Sequence, residues 1–516
     1  MKRNSIILLF FLFALAVSAQ SIHHFSEKSV LANGKFVKIK IVQSGVYRLT
    51  FDDLKAMGIS NPANARIFGY GGNVLEQDFS KPMIDDLPEI AIYAANDYIL
   101  FYANGIDKWT YDANSKFFTH LPNTYSSFGY YFVTSDAGIG RRIEQAQAVE
   151  VPQNATVHDI TEFTDYQVHE QEERSVAKAG KTFYGEKFEE TTFLSMNINF
   201  SSPNPSSNTN SVVALLDAAA FSTQRSSFVL ALGNKKDTLN IYEATGQYTK
   251  AVGAKGKYSY TPSGDNLNFT LTFKKTGING TGYLNALTIN AIRQLKMSGA
   301  MMRFQNLDFL GSNVFKKYKL SNAGSNVKIW NITDTENIMQ MPVDNAGGTL
   351  NFTVSAEKLQ KFIAVDLSAV AQLPKPEVVG AIANQNLHAL PATDFVIITH
   401  PNFMQQAERL AQAHRDADNM RVEVVTAEQV YNEFSSGTPD ATAYRRLLKM
   451  LYNRALTADD KPKYLLLFGR GTYDNRKLLT TSGQNLVLTY QADNSLVFTS
   501  SFVTDDYFVL LDDNEG

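Results

Sequence analysis

Between Asp394 and Asp474 the chain alternates between two hydrophobic periods. Phe395–Ile398 and Tyr464–Phe468 are short apolar runs, β-branched or aromatic, bounded by turn or polar residues. Such runs read as strands buried on both faces of a parallel sheet. Between them Arg421–Val425 alternates like a strand, and two segments repeat with the helical period. The first places Phe403, Ala407, Leu410, Ala411 and His414 on one stripe, with Gln405, Glu408 and Gln412 turned away. The second places Tyr444, Leu447, Leu448 and Leu451 on its stripe, with Arg445, Arg446 and Lys449 outside. Strand, helix, strand, helix, strand predicts an open α/β domain. Ligands of such sheets bind beyond the carboxyl ends of the strands. Those ends carry His400, Thr426 and Gly469–Asp474.

Upstream the period is 2. Phe36–Val42 and Val46–Thr50 read as strands, and Thr50 is placed to cap a short helix, Phe51–Met57, that Gly58 stops. Ala65–Leu75 reads as strand, glycine turn, strand. No helical pattern follows Gly71 and Gly72, so they predict a hairpin turn and not a phosphate loop. From Glu150 to Arg303 short strands recur between polar turns, with Leu267–Phe273 alternating cleanly, the pattern of a sandwich. A further β-unit runs to about Leu367, and Gln372–Glu377 reads as a linker. The expected fold class is multidomain, with β-rich, sandwich-like amino-terminal domains followed by an α/β domain. The expected boundaries are 20–149 and 150–371 for the β-rich regions, 372–390 for the linker and 391–516 for the α/β part.

A length of 516 residues agrees with several domains, and a net charge of -3 gives no argument for nucleic acid or an anionic membrane as partner. Met1–Ala19 has the physics of a signal peptide: Lys2 and Arg3, the apolar run Ile6–Val17, then small residues before Gln20. The chain contains no cysteine. An exported protein without cysteine has no disulfide framework and rests on its cores. Nor does a thiol nucleophile lie within these residues.

The chemistry readable from residues alone is sparse. His400, at a strand's carboxyl end and before Pro401, reads as a cap, and His414 reads as packing on its helical stripe. Gly469 and Gly471 allow a tight turn or close approach after a buried strand; the three-glycine dinucleotide fingerprint is missing. Asp505 and Asp506, flanked by Phe502, Tyr507 and Phe508, read either as a solvated turn or as carboxylates in a specificity pocket or calcium site, with Asp512, Asp513 and Glu515 nearby. No motif asks for a cofactor, and the histidines show no metal-ligand spacing.

Several long strings carry a resemblance. "FVIITHPNFMQQAERLAQAHR" (Phe395–Arg415), "YLLLFGRGTYDNR" (Tyr464–Arg476) and "TDDYF" (Thr504–Phe508) resemble the gingipain-type cysteine peptidase domain. Upstream, "SGVYRLTFDDLKAMGI" and "DYILFYANGIDKW" resemble the β-domains of its members that act as C-terminal signal peptidases, or sortases, of the type IX secretion system. Arg470 and Thr472 depart from the FGDGSYD usual in that family. The resemblance implies an exported, surface-associated cysteine endopeptidase that removes C-terminal targeting domains from secreted cargo. It implies other secretion components as partners, and anionic lipopolysaccharide as the acceptor to which cargo is attached. It implies a gingipain/caspase-like α/β domain of which these residues hold only the first part, with the catalytic cysteine and histidine beyond Gly516, and it places Asp505 in the substrate pocket. The rival reading is a non-catalytic scaffold of the secretion complex with a degenerate protease fold.

Amino-terminal sequencing of the exported protein is expected to begin at Gln20; a product retaining Met1–Ala19 would defeat the signal-peptide assignment.

Overall fold

The computed structural model describes residues 23–276, 279–481 and 483–515. The signal peptide and its boundary at Gln20 lie outside them. The chain forms stacked β-modules followed by a three-layer α/β unit. In the first module the strands Phe36–Ile41, Gly129–Thr134 and Arg66–Phe68 lie in one sheet, and Gly45–Thr50 and Tyr98–Ala103 in a second. Their inward residues, among them Ile39, Leu49, Ile67, Phe101 and Tyr131, form one core. Thr50 caps helix α1 (Phe51–Ala56), with Asp53 returning the bond as a capping box. Two further sandwiches follow. The first packs Val212–Ser222 and Gly280–Gln294 over Ser226–Leu232 and Asn266–Lys274. The second is held by aromatic pairs such as Tyr318 and Phe352, whose centroids lie 5.0 Å apart.

The segment read as a linker carries a strand. Glu377–Ile382 pairs antiparallel with Phe36–Ile41, so the chain returns to the first module before entering the α/β unit. The middle sandwiches are thereby inserted between parts of that module.

The α/β unit has three parallel strands in the order Val422–Thr426, Phe395–Thr399, Tyr464–Phe468. Alternate residues of the central strand face opposite ways. Phe395 and Ile397 pack on Ala407 and Ala411 of helix α2 (Met404–Asp418). Val396 and Ile398 pack on Val430 of α3 (Ala427–Phe434) and Tyr444, Leu447 and Leu451 of α4 (Thr442–Arg454).

Two local features differ from the expected pattern. Helix α3, whose apolar Ala427, Val430, Tyr431 and Phe434 recur at helical spacing, is an additional element directly after the strand Val422–Thr426. Arg445, Arg446 and Lys449, expected outside, are 0%, 4% and 2% exposed. A second layer covers α4. Arg445 donates to the carbonyls of Leu510 (2.6 Å), Gln77 (2.7 Å) and Glu515 (3.0 Å). Lys449 donates to the Leu511 carbonyl and to Asp513, both at 2.6 Å. Phe79 lies against the Arg445 guanidinium, 4.1 Å from ring centroid to carbon. Phe79 and Gln77 belong to loop 69–88, where the second strand of the expected hairpin does not form. Gly71, at φ 83°, turns the loop toward the α/β unit instead. There Thr438 donates to the Gly71 carbonyl (3.0 Å), and the Leu75 amide donates to Asp440 (3.0 Å).

Arg445→Ala leaves three carbonyls without their buried donor. It is expected to cost about 3 kcal/mol, read as a lowered Tm of the α/β unit by thermal unfolding; an unchanged Tm would mean that this layer contributes nothing.

Candidate functional site

The carboxyl ends of the parallel strands open into a cleft of about 360 Å³. Its floor is built locally. The Thr399 hydroxyl donates to the Phe468 carbonyl (2.8 Å) and ties two strand ends together. His400 follows, and its Nδ1 accepts from the Asn402 amide (3.2 Å), capping the turn Pro401–Phe403. Ala427, Glu428 and Tyr431 enter from the start of α3, which Thr426 and Gln429 close with a capping box.

The loop after Phe468 forms one side. A Cβ on Gly471 would lie 2.6 Å from Thr489 Cγ2 and 3.0 Å from the Val487 carbonyl, so glycine is required by close approach. Asp474 is fully buried and accepts from the amides of Leu478 (2.9 Å) and Leu479 (2.7 Å). Asn475 bridges Thr489 in both directions, donating to its carbonyl (2.9 Å) and accepting from its amide (3.1 Å). Arg476, 3% exposed, forms an ion pair with Glu172 of the neighbouring sandwich. Its charge is therefore already matched.

The opposite side comes from the first β-module. Tyr125, Ser126, Ser127 and Phe128 line it. The Asn123 side chain accepts from the Tyr125 amide (2.8 Å), and the Ser126 hydroxyl donates to the Phe128 carbonyl (2.7 Å). Beneath the cleft Tyr431 stacks on Tyr444 at 5.5 Å with their hydroxyls bonded, and the Leu488 amide donates to Tyr444 (3.3 Å). Burial pushes the Tyr431 phenol well above its ordinary pKa and raises the Asp440 carboxyl behind it. Both hold their protons to higher pH than free groups do. The arrangement can hold an extended chain between two modules. Ser126 is engaged locally, and no thiol is present.

Of the other residues singled out in the sequence, His414 bonds Asp418 (2.6 Å) and meets Phe395 edge-on (5.4 Å), a packing role. Asp505 is exposed at the start of the turn Asp506–Val509, apart from the cleft lining. The turn itself is fixed by Tyr507, whose hydroxyl bonds Thr442 at 2.9 Å and whose ring stacks on Tyr490 at 3.6 Å. Asp512 and Asp513 are taken up by Tyr452 and Lys449, and no group of three metal-binding side chains converges among the described residues. The string "LPNTYSSFGYYF", which holds Tyr125–Phe128, also resembles the family's β-domains, but nothing in the sequence sets this wall against the α/β unit or pairs Glu172 with Arg476. Glu172 and Arg476 lie 304 positions apart.

Residues 388–516 match Peptidase family C25. The crystal structure of dimeric latent PorU from Porphyromonas gingivalis superposes with a TM-score of 0.83 at 30% identity, over 95% of this chain and 47% of that chain. The chain thus spans about half the length of that solved relative. The globular domain of zebrafish complement 1qA protein matches 26% of this chain and 96% of that chain at 11% identity and a TM-score of 0.14, which bears on neither fold nor function. No curated protein matches.

Asp474→Ala removes the acceptor that holds two loop amides. Exchange at Leu478 and Leu479 is expected to quicken about 10- to 100-fold, on the order of the 1–3 kcal/mol such buried bonds are worth, as read by amide hydrogen exchange.

Proposed function

The chain belongs to the gingipain-type peptidases, Peptidase family C25, through residues 388–516, and on that premise we propose that it forms the cleft-bearing part of a PorU-like, exported cysteine endopeptidase. The observation that carries this reading is the superposition over 95% of the chain, β-modules included. The substrate is secreted cargo with a C-terminal targeting domain, held as an extended chain between the Tyr125–Phe128 wall and the loop 469–488.

The chemistry proposed is acyl transfer. A thiolate attacks the scissile carbonyl, the targeting domain leaves as an amine, and cargo remains as a thioester. Water, or an amino group on anionic lipopolysaccharide, then attacks the thioester and releases the thiol. No cysteine lies among the 516 residues, so the thiol of this mechanism is not one of them. What these residues contribute is binding and orientation. His400 caps its turn and is not assigned as the base. Asp505, exposed and apart from the cleft lining, is proposed as an acidic substrate-binding group on the resemblance of Thr504–Phe508 alone. The protein acts at the cell surface beside other secretion components.

The second reading is a scaffold that binds cargo in the same cleft without cutting it.

The test compares two proteins made from the source gene. The full-length protein is expected to cleave cargo tails and to lose that activity on treatment with a thiol-alkylating reagent. Residues 20–516 alone are expected to cleave nothing. Cleavage by residues 20–516 would overturn the assignment, and a full-length protein without cysteine would establish the scaffold.

A further inference from the structure

A buried charge cluster lies outside the cleft, where five segments meet. His388 is fully buried. Its Nδ1 lies 2.6 Å from Glu433 of α3, and its Nε2 lies 3.0 Å from Asp85 in loop 69–88 of the first β-module. The ring lies flat on Phe434, with centroids 4.7 Å apart. Glu433 also accepts from the amides of Leu387 (2.8 Å) and His388 (3.0 Å) and from the Gln385 side chain (2.9 Å). Asp85 accepts from the Ser26 amide, and the neighbouring Asp86 from the Val30 amide, each at 2.6 Å. Two arginines of α4 lie nearby: Arg454 donates to the carbonyls of His388, Ser26 and Phe25 and feels Asp85 and Glu27, and Arg446 donates to the Ile84 carbonyl beside Asp85 (3.4 Å).

A ring nitrogen faces a carboxylate on each side. Both nitrogens can donate only in the imidazolium form. Neutral histidine would turn a lone pair toward one of the two carboxylates. We infer that His388 is a proton-operated latch, which clasps the first β-module to α3 when protonated and frees loop 69–88 when it loses its proton. The latch reaches the cleft because α3 carries Ala427, Glu428 and Tyr431 in its wall, and the first module carries the wall opposite.

Electrostatics agree. Burial alone would lower the His388 pKa, but the bonds to Asp85 and Glu433 outweigh it and raise it to about 9. A histidine raised in the folded state stabilises fully below its ordinary 6.5, and that stabilisation is lost as pH rises through about 9. Burial raises Asp86 to about 6, so protonation of this carboxyl favours the clasped form as pH falls through that range. Lys38, on the same interface, donates to Asn432 (3.0 Å) and faces Glu428 (3.8 Å) and the Tyr130 ring (4.6 Å). Burial lowers it to about 8, so its deprotonation relieves a cost and acts in the opposite sense. Alkaline loosening therefore belongs to His388.

Residues 20–516 hold no cysteine, so two introduced into the protein of these residues are unique labelling sites there. Lys81→Cys in loop 69–88 and Gln405→Cys on α2, both exposed, take the spin labels. The inter-label distance is expected to be narrow at pH 6.5 and to broaden by pH 9.5. Lys38→Met should keep that transition, and His388→Gln should be broad and insensitive to pH. Should His388→Gln not fold, Asp85→Asn decides: with one carboxylate gone, the midpoint should fall by about one pH unit or more. A distance unchanged to pH 9.5, or an Asp85→Asn midpoint equal to the parent's, overturns the latch.

Discussion

A parallel sheet needs cover on both faces, and the other modules around the strands after Asp394 are arranged to meet that need. Helix α2 closes one face alone, with Ala407 and Ala411 inward and its glutamines in water. The other face is harder to close. Helix α4 buries its apolar stripe on the sheet and carries two arginines and a lysine on its far side. Buried cations need acceptors. Carbonyls from loop 69–88 and from the turn after Tyr507 supply them. The first β-module is therefore a second layer of the α/β unit and not merely a neighbour of it.

That dependence decides what could be read from the sequence. The runs Phe395–Ile398 and Tyr464–Phe468, the α2 stripe and the Thr50 cap are local patterns, and each forms as its own residues dictate. The multidomain, β-rich organisation was legible for the same reason: alternation such as that of Leu267–Phe273 needs only its own sheet. Helix α3 carries the helical period in Ala427, Val430, Tyr431 and Phe434, but over only 8 residues directly after a strand, where so short a run is ambiguous. The cations of α4 pointed to solvent by type; only long-range carbonyls make their burial tolerable. Glu377–Ile382, with two exposed valines, reads as a connection because its partner strand lies more than 330 positions upstream.

The candidate site divides along the same line. His400, Thr426 and the glycines at 469 and 471 mark the floor by their place at strand ends, a rule of topology that needs no tertiary knowledge. The opposite wall, Tyr125–Phe128, comes from another module, and nothing in the sequence sets it against the α/β unit. Asp474 appears in sequence only as part of a resembling string. Its work is structural, holding the amides of Leu478 and Leu479.

A cleft with walls from two modules behaves differently from one carved in a single domain. Its width is set by how the modules dock, and beside a shared apolar core the docking includes buried charges: Arg476 on Glu172, Lys38 on Asn432, and His388 between Asp85 and Glu433. Apolar packing alone would make the interface strong and indifferent to conditions. Buried ion pairs gain less net energy but depend steeply on protonation and on the presence of each partner. The fold thus places its most condition-sensitive contacts where a small change in docking alters the space available to a bound chain.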